Sequence, residues 1–420
     1  MRRKIGYLLT AITVLTLIAG CQAADTPEAP TDTPPSDATP TPTTEASVTP
    51  TPSGPASCQL APLEFEEEPR IPPITEDDHV HGPEDASITY IEYADFQCPA
   101  CSQLADLRET LQEQYGDDIR FVYRHLPLIS IHDKAVITAE AAEAAAAQGK
   151  FWEMHDLLYA RQSEWHQLSE EEMQDELISY AEELDLDVDQ FEQELTEHVY
   201  RDEIMQQYEE YQEYGRMATP TYVVNNVFYP WNPNPILIDA FIQMLRNPIE
   251  QYEELPPQVI DEANQYQATI QTNKGDIVVE LFDNENPINT NSFTFLAQDG
   301  WYDDLPFFYV DPEGVAQSGD PYGVGLGLPY TGYYCEKETS DELNYEEAGM
   351  VGLYANQSGF NSSQFFITYV PIPEITGQYT IIGRVIEGMD VLQDLQPITQ
   401  ADDIANADVI ETITIEEMDS

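Results

Sequence analysis

Cys98 and Cys101 form a Cys-x-x-Cys motif whose spacing suits thiol–disulfide exchange. The β-branched and aromatic run Ile88–Ala94 precedes the motif and predicts a strand. The residues after it, Ser102–Arg108, have the apolar spacing of a helix. Cys98 is therefore expected at a helix N-terminus, where unpaired backbone N–H groups and the helix dipole favour a negatively charged sulfur. A thiolate is the form that attacks disulfides, and Cys101, one turn further on, is placed to close the disulfide again.

Two other interpretations of the motif are weaker. A closed zinc site needs four ligands, but Cys58 and Cys335 are isolated in sequence and no histidine has ligand spacing to Cys98. A disulfide at a helix start is strained and reducible, so it makes a poor structural cross-link. Histidines of this region are interpreted as packing or surface residues, namely His125, His132 and His155. We therefore expect no metal ion and no other cofactor.

The motif belongs to a stretch, Glu84–Asn247, that is expected to form one α/β domain. A second strand is predicted at Ile119–Tyr123, and a third at Ala218–Val224, ahead of the turn pair Asn225-Asn226. The predicted helices between and after these strands are Lys134–Gln148, Phe151–Tyr159, Glu170–Glu183, Asp189–Tyr214 and Pro235–Arg246. A β-α-β opening, a long helical insertion, a hairpin and a final helix make an α/β plan.

Charge and length limit the partners of the chain. Its 420 residues include 78 acidic and 16 basic ones, which gives a formal net charge of −62. The acid excess is spread along the sequence and predicts a solvated acidic surface. Nucleic acid and anionic lipid headgroups are therefore poor partners for the folded part. The length suggests two or three folded units.

Residues 1–21 have the pattern of a secretion signal. Arg2, Arg3 and Lys4 precede the apolar stretch Leu8–Ala19. The segment ends in a run, Leu17-Ile18-Ala19-Gly20-Cys21, that resembles a bacterial lipobox, which implies cleavage before Cys21 and lipidation of its thiol. The alternative is a single uncleaved membrane helix. Both interpretations place the rest of the chain outside the cytoplasm, where disulfides persist.

Residues 22–57 are dominated by Pro, Thr, Ala, Ser and Asp. Such a composition buries too little apolar surface to offset the entropy of ordering, so we expect a semi-extended tether. A lipid anchor followed by this tether would attach the folded domains to the cell membrane at a distance. The membrane is then a partner through the anchor only.

A second domain is expected over 262–417, after a linker that contains Pro256-Pro257. Its first predicted strands, Gln267–Thr272 and Asp276–Leu281, flank the hairpin signal Asn273-Lys274-Gly275. A short helix is predicted at about Ile288–Asp299. Many short strands with Gly- and Pro-rich turns follow, up to a last strand near Val409–Glu416. This pattern is typical of a β-barrel.

Several features of the first domain occur together: Cys98-Pro99-Ala100-Cys101 after an apolar strand, the helical insertion, and Ala218-Thr219-Pro220-Thr221. With them the domain resembles the DsbA-type thioredoxin-fold oxidoreductases. The resemblance implies that Cys98 is the nucleophile and Cys101 the resolving thiol. It implies a cis peptide at Thr219 and Pro220 beside the disulfide, and a buried acid, Glu92, that moves protons during exchange.

The residues themselves leave alternatives open. An X–Pro bond adopts the cis state at a cost of only about 0.5–1 kcal/mol, but Pro220 can also be an ordinary trans turn proline. A carboxyl group buried under two thiols would exchange a proton near neutrality, whereas Glu92 at a strand end can also lie in solvent. The Pro-Ala pair between the cysteines does not decide whether the motif is oxidising, isomerising or reducing.

The second domain contains four informative runs: Ile270–Phe282, Ala316–Pro321, Ser363–Thr368 and Ile382–Asp390. With them it resembles the cyclophilin-type peptidyl-prolyl isomerases. The resemblance implies a closed β-barrel with a proline pocket on its surface. It also implies the pocket residues, which are Gln317, Ala355, Asn356, Gln364 and Phe366, the last as the apolar floor.

The departures from the family pattern fall on the catalytic chemistry. Tyr309, in the run Phe307-Phe308-Tyr309-Val310, occupies the place of an arginine that bonds the prolyl amide and weakens its partial double bond. Tyr309 offers at most one neutral donor. Other pocket positions are also changed, and carry Gly314, Val315, Glu374 and Tyr379. Isomerase activity is left open, and the alternative is a module that only binds proline-containing or unfolded peptides.

The sequence as a whole predicts a thioredoxin fold with a helical insertion, followed by a cyclophilin-like closed β-barrel. The leading hypothesis is an extracytoplasmic, lipid-anchored folding factor with thiol–disulfide oxidoreductase activity. Its expected partners are unfolded or reduced secreted proteins and an unknown redox partner. The rival is a non-enzymatic client-binding lipoprotein. An interdomain disulfide between Cys58 and Cys335 is conceivable, because extracytoplasmic thiols rarely stay free.

Overall fold

The computed structural model describes residues 57–215, 218–261, 264–399 and 404–418. The predicted signal segment 1–21, the lipidation site Cys21 and the predicted tether up to residue 56 lie outside the described residues. Within the described part of the chain, no helix is both long enough and apolar enough to cross a membrane. The described strands form two separate sheets, one in each domain.

The first domain is built on a five-stranded sheet. Strand β1 (Cys58–Leu60) belongs to the other sheet, and the first-domain strands are β2 (His79–His81), β3 (Ile88–Ala94), β4 (Ile119–His125), β5 (Thr221–Val224) and β6 (Val227–Phe228). Their order is β2-β4-β3-β5-β6, with β3 parallel to β4 and antiparallel to β5. The central strands β3 and β4 are mostly buried on both faces, as their β-branched and aromatic side chains require. The edge strand β2 precedes Glu84, the predicted start of this domain.

The helices of the first domain lie in the connections of this sheet. They are α1 (Pro99–Gln103), α2 (Leu107–Tyr115), α3 (Ala135–Ala146), α4 (Phe151–Ala160), α5 (Gln162–Trp165), α6 (Glu170–Glu183), α7 (Val188–Glu197), α8 (Arg201–Gln212) and α9 (Pro235–Arg246). The alanine-rich α3 is buried along most of its length and packs against both α4 and α7. Helix α6 begins with a capping box, in which Ser169 and Glu172 bond each other's backbone N–H groups.

Two of the predicted helices are each divided in two. The helix predicted over Asp189–Tyr214 is α7 followed by α8, and His198 between them has a left-handed backbone with φ of 55°. The helix predicted after Cys101 ends at Gln103, and α2 begins at Leu107. Apolar residues keep a helical spacing on both sides of each break, so the hydrophobic periodicity alone does not reveal the break.

The second domain contains a ten-stranded sheet. Besides β1, its elements are β7 (Gln265–Thr272), β8 (Gly275–Leu281), α10 (Pro287–Gln298), β9 (Tyr309–Val310), β10 (Val315–Ser318), β11 (Tyr333–Glu336), β12 (Met350–Ala355), β13 (Phe360–Thr368), β14 (Thr380–Glu387), α11 (Met389–Gln393) and β15 (Ile410–Met418). The strand order is β1-β11-β13-β12-β14-β8-β7-β15, and β10 pairs with both β13 and β9. Buried side chains of these strands form one core with those of α10.

In the described residues, continuous backbone hydrogen bonds do not join the strands of the expected barrel into a closed ring. Among the described residues, the chain that leads into β15 is joined to the segment around β9 by two isolated bridges, Pro306 with Val409 and Val310 with Ile398, and not by a continuous pairing. The N–H of Phe307 donates to the carbonyl of Asp408 at 2.8 Å in the same region. Since β9 contains only two residues, it offers too few backbone groups for a full strand pair.

The described chain begins on the second domain. Strand β1 pairs antiparallel with β11, and Cys58 lies opposite Cys335, to which it is joined by a disulfide. The bridge that the sequence left undecided is therefore present, but it joins two paired strands of the second-domain sheet and is not the interdomain bridge that the sequence suggested. It spans 277 positions of sequence, and the whole first domain lies within that span.

Helix α9 packs against a loop of the second domain. Ala240 and Met244 on α9 share an apolar cluster with Val324 and Tyr330 of that loop. The loop begins at Asp320, a buried carboxylate that accepts backbone N–H bonds from residues further along it. Buried acceptors of this kind fix a loop conformation because an unmade bond would leave a charge without a partner.

Candidate active site

Cys98 and Cys101 lie where β3 ends and α1 begins. Cys98 is the N-cap residue of α1, and Pro99 takes the first helical position, where the missing N–H of proline removes no helical bond. Cys98 is 6% exposed, whereas Cys101 is 0% exposed, and both thiols are free. Cys98 is therefore the sulfur that an incoming molecule can reach first.

The Thr219–Pro220 peptide lies beside Cys98. This bond is cis, which is the geometry that the family resemblance implied. The sulfur of Cys98 lies 3.3 Å from the carbonyl oxygen of Thr219, to which it donates a hydrogen bond when it is protonated. The contact follows from the sheet, because Thr221 at the start of β5 pairs with Tyr93 near the end of β3. The pairing of β3 with β5 thus places the loop that contains Pro220 beside Cys98.

The two thiols differ strongly in acidity. A hydrogen bond from the Cys101 thiol lowers the pKa of Cys98 to about 5; burial opposes this effect, and Thr219 and backbone N–H groups of α1 add to it. Burial raises the pKa of Cys101 well above its ordinary value, and its bond to Cys98 adds to the rise. At neutral pH the site therefore holds one thiolate, on Cys98, and one thiol, on Cys101.

Glu92 lies on β3, between Tyr123 on β4 and Tyr222 on β5. Burial raises the pKa of Glu92 to about 8, with repulsion from Cys98 adding to the rise and Arg108 opposing it. The charge of Glu92 is also one of the causes that raise the pKa of Cys101. A carboxyl group with this pKa next to the thiols can exchange a proton near neutral pH.

Two further residues fix the loop before Cys98, and the sequence analysis did not single them out. Asp95 is buried, and its carboxylate accepts bonds from the N–H groups of Gln97 and Leu128 and from Nδ1 of His132. Its position just after a strand was a usable signal for a turn acceptor. Gln162 donates to the carbonyl oxygens of Phe96 and Cys98 at 2.7 and 2.9 Å. Gln162 lies 64 positions from Cys98, and no local pattern marks it.

The second domain has a surface pocket of about 220 Å³. It contains the predicted residues Tyr309, Gln317 and Phe366, and it is also lined by Asp311, Gly314, Val315, Tyr354, Ile372, Ile375 and Tyr379. The ring of Phe366 stacks on Tyr345 and meets Tyr379 edge-on. A Cβ atom on Gly352 would lie 2.4 Å from the Phe366 ring, so only glycine leaves room for this floor. The described residues that line the pocket include no arginine or lysine.

The other predicted pocket residues lie outside this lining. Gln364 is buried, and its side-chain N–H donates to Asp320 at 2.8 Å. Asn356 accepts backbone N–H bonds from Ser358 and Phe360 and so closes the turn between β12 and β13. Ala355 pairs with Asn361 in the same ladder. These three residues thus take part in the hydrogen bonding and pairing around β12 and β13, and their role in peptide binding stays a prediction.

The two folds and the two sites define a chain with a thioredoxin-like first domain and a cyclophilin-like, β-rich second domain. Residues 74–244 match the family model described as thioredoxin. Residues 267–419 match the family model described as cyclophilin type peptidyl-prolyl cis-trans isomerase/CLD. Each match covers less than half of the chain, and the two matched ranges do not overlap.

Among curated proteins, part of the chain is similar to sodium/proton antiporters. It is 43% identical over 155 residues to Na(+)/H(+) antiporter NhaA 3 of Salinispora tropica, which is 37% of this chain and 22% of that protein. It is 40% identical over 157 residues to NhaA of Herminiimonas arsenicoxydans, with 37% and 23% covered. The chain spans less than a quarter of these relatives, and their transport activity is not assigned to it.

Solved structures with a likeness to the chain come from both domain types. A cyclophilin type isomerase of Cryptosporidium parvum is 31% identical, with 36% of this chain and 98% of that chain covered and a TM-score of 0.34. Oxidised BdbD from Bacillus subtilis is 22% identical, with 39% and 90% covered and a TM-score of 0.36.

Proposed function

We propose that this chain is an extracytoplasmic folding factor that introduces disulfides into unfolded client proteins through Cys98 and Cys101. The observation that carries the proposal is the unequal pair of thiols. Cys98 is the more accessible and has a lowered pKa, and it lies against the Thr219 carbonyl. Cys101 is fully buried and has a raised pKa. A thiol–disulfide exchanger needs one attackable sulfur and one protected resolving sulfur.

The exchange runs from the oxidised protein. A client thiolate attacks the Cys98 sulfur of the Cys98–Cys101 disulfide, which forms a client–Cys98 bond and releases Cys101 as a thiolate. Cys101 takes up a proton, for which Glu92 is the neighbouring donor. A second client thiolate then attacks the client sulfur of the mixed disulfide. The client leaves with its own disulfide, Cys98 leaves as a thiolate, and a separate disulfide-bearing redox partner restores the starting state.

The acidity of Cys98 supports the proposed direction of electron flow, from client to protein. A stable thiolate is a good leaving group and favours the reduced form of the protein, which makes the disulfide oxidising. The pKa of Cys98, lowered to about 5, supports oxidation of clients over their reduction. The Cys58–Cys335 bridge supports an oxidising compartment, because such bridges are rare in the cytosol. A lipid anchor at Cys21 would attach the chain to the membrane surface.

For the second domain we propose binding of proline-containing segments with weak isomerase activity. The pocket of about 220 Å³ has an aromatic floor at Phe366, which suits a proline ring. Tyr309 lines it where a cation would be needed to weaken the prolyl amide bond. This domain would then hold extended clients for the first domain. Prolyl isomerisation and disulfide formation are both slow folding steps, so it is physically reasonable for one chain to act on both.

The redox proposal is tested by oxidative refolding. A reduced protein that requires disulfides is mixed with oxidised wild type, or with Cys98→Ser or Cys101→Ser. We expect acceleration by wild type only. In a separate reaction with a client that already contains disulfides, the Cys98 thiolate of Cys101→Ser should attack one of them, release one client thiolate and stay in a mixed disulfide, because the resolving thiol is absent. Equal refolding rates with wild type and Cys98→Ser would refute the proposal and favour the non-enzymatic client-binding lipoprotein.

A further inference from the structure

We propose that His79, His125 and Glu143 form a binding site for one zinc ion in the first domain, separate from the thiols. His79 lies on the edge strand β2, His125 ends the central strand β4, and Glu143 lies on α3. Their ligand atoms all lie within 4.8 Å of one another. Two imidazole nitrogens and one carboxylate are a donor set that zinc binds in proteins, with a fourth position left for water or another ligand.

The distances suit a small metal ion. Nε2 of His79 lies 2.8 Å from Oε1 of Glu143, and Nε2 of His125 lies 2.9 Å from the same oxygen. A tetrahedral zinc site places neighbouring ligand atoms roughly 3.3 Å apart, given metal–ligand distances of about 2.0–2.1 Å. The side chains therefore need to open by only about half an ångström at each contact to admit the ion.

The ligands are preorganised by aromatic packing. The His79 ring is stacked on Phe151, with ring centres 3.5 Å apart and planes 6° from parallel. The His125 ring meets Tyr123 edge-on at 5.2 Å. Both rings are thus held with Nε2 directed at Glu143, which itself stands on the buried, alanine-rich α3. A site whose ligands are already fixed loses little conformational entropy when the ion binds.

The surroundings favour a cation. The side chains of His79, His125 and Glu143 are 14%, 2% and 11% exposed, so the site is largely shielded from solvent. Glu203 on α8 lies near enough for its charge to interact with those of Glu143, His125 and His79. Its negative charge therefore adds to the electrostatic attraction for a cation. Imidazole ligands select zinc over calcium and magnesium, which prefer oxygen donors only.

The consequence of binding would be a cross-link between β2, β4 and α3. Glu143 lies 64 positions from His79 and 18 from His125, so the ion would join parts of the chain that are distant in sequence. Because binding requires the folded arrangement, zinc would raise the unfolding temperature in a concentration-dependent way. This inference does not rest on the redox proposal, since none of its ligands is a thiol.

The test uses the chain with Cys98 and Cys101 oxidised, so that these thiols cannot bind metal. Titration calorimetry with Zn²⁺ alone should show one site, while Ca²⁺ and Mg²⁺ at the same concentrations should show no binding. Bound Co²⁺ should give a spectrum without the thiolate-to-metal charge-transfer band. His79→Gln and Glu143→Gln should each weaken zinc binding by at least the roughly 10–100-fold that the loss of a mere supporting residue produces.

The matched control is His81→Gln, because His81 lies on the same strand as His79. His81 packs against the rings of Phe121 and Trp152 and is not one of the proposed ligands. It should leave zinc affinity unchanged. Each variant is checked by circular dichroism, and Glu143→Gln keeps the shape of the side chain if His79→Gln disturbs the edge strand. Absence of zinc binding to the folded wild type would overturn the proposal, as would equal affinity in Glu143→Gln and wild type.

Discussion

The sulfur of Cys98 and the carbonyl oxygen of Thr219 lie 3.3 Å apart, although 121 positions of sequence separate them. The helical insertion fills that interval, and the antiparallel pairing of β3 with β5 brings its two ends together. Under the proposed function, an extended client that approached Cys98 would meet the backbone of Thr219 at the same time. Recognition of backbone and attack on sulfur are therefore expected to occur in one encounter.

The first prediction concerns the acidity of Cys98. The pKa is lowered to about 5, so alkylation of Cys98 by iodoacetamide should reach its plateau by about pH 7, with a midpoint near 5. Thr219→Val should raise the midpoint because the Thr219 side chain contributes to the lowering. Mass spectrometry after timed quenching measures the rate, with Cys98→Ser as the blank. A midpoint near that of a free thiol would contradict the geometry of the site.

The same shift makes the stability of the reduced protein depend on pH. The Cys98 pKa is lower in the fold than in the unfolded chain, so the thiolate stabilises the reduced fold fully above about pH 9. This contribution is lost as pH falls through about 5. Urea unfolding of reduced wild type and reduced Cys98→Ser, measured across this range, should therefore diverge with rising pH.

The contribution of Glu92 to stability should depend on pH in the opposite direction. Its pKa is raised from 4.5 to about 8, so the folded state binds a proton more tightly than the unfolded state. Protonated Glu92 therefore contributes to the stability of the fold at low pH, and this contribution is lost as pH rises from about 4.5 through about 8. The contribution is at most about 1.4 kcal/mol for each unit of pKa shift. Glu92→Gln should therefore stabilise the protein above pH 8 and slow proton-coupled exchange. Glu109→Gln, on the exposed face of α2, is the control and should change neither quantity.

The pocket of the second domain can be tested by restoring a cation. Tyr309→Arg places a guanidinium group in the lining beside Gln317 and Phe366. Because a charged donor to the prolyl amide lowers the isomerisation barrier, the variant should isomerise a proline peptide at least about tenfold faster than wild type. Phe366→Ala in the same background should abolish the gain through loss of binding. High activity of wild type, with no gain in the variant, would show that Tyr309 is itself sufficient.

The Cys58–Cys335 bridge should contribute strongly to stability. It closes a long loop of sequence, and removal of such a bridge typically costs about 2–5 kcal/mol. The Cys58→Ala, Cys335→Ala double variant should therefore unfold at a clearly lower urea concentration. Cys98→Ala with Cys101→Ala is the matched control, since it also removes two sulfurs but breaks no structural bridge. Equal midpoints for the bridge variant and wild type would contradict the expectation.

Much of the fold was readable because strong local signals mark it. Helix α6 has the predicted bounds Glu170–Glu183, fixed by the Ser169 capping box. Helix α9 has the predicted bounds Pro235–Arg246, and Asn234 caps it by accepting two backbone N–H bonds. The Cys-x-x-Cys motif was readable for the same reason, since strand, turn and helix are adjacent in sequence.

The features that escaped prediction depend on distant contacts. Strand β2 is three residues long and is stabilised by pairing with β4. Its own sequence is too short to predict that pairing. Gln162 reaches the Cys98 loop only because α5 packs beside it. Gln364 has a family pattern that implies a pocket residue, yet its partner here is the buried Asp320. In each case tertiary packing, and not local preference, decides the role.

The position of β1 has a mechanical consequence. A pull on the chain from upstream of Ser57 reaches β1 first, and the Cys58–Cys335 bond passes the load directly to β11. The first domain lies between the two cysteines in sequence, so the covalent path of tension bypasses it. The redox site could therefore keep its geometry while the N-terminus is under strain.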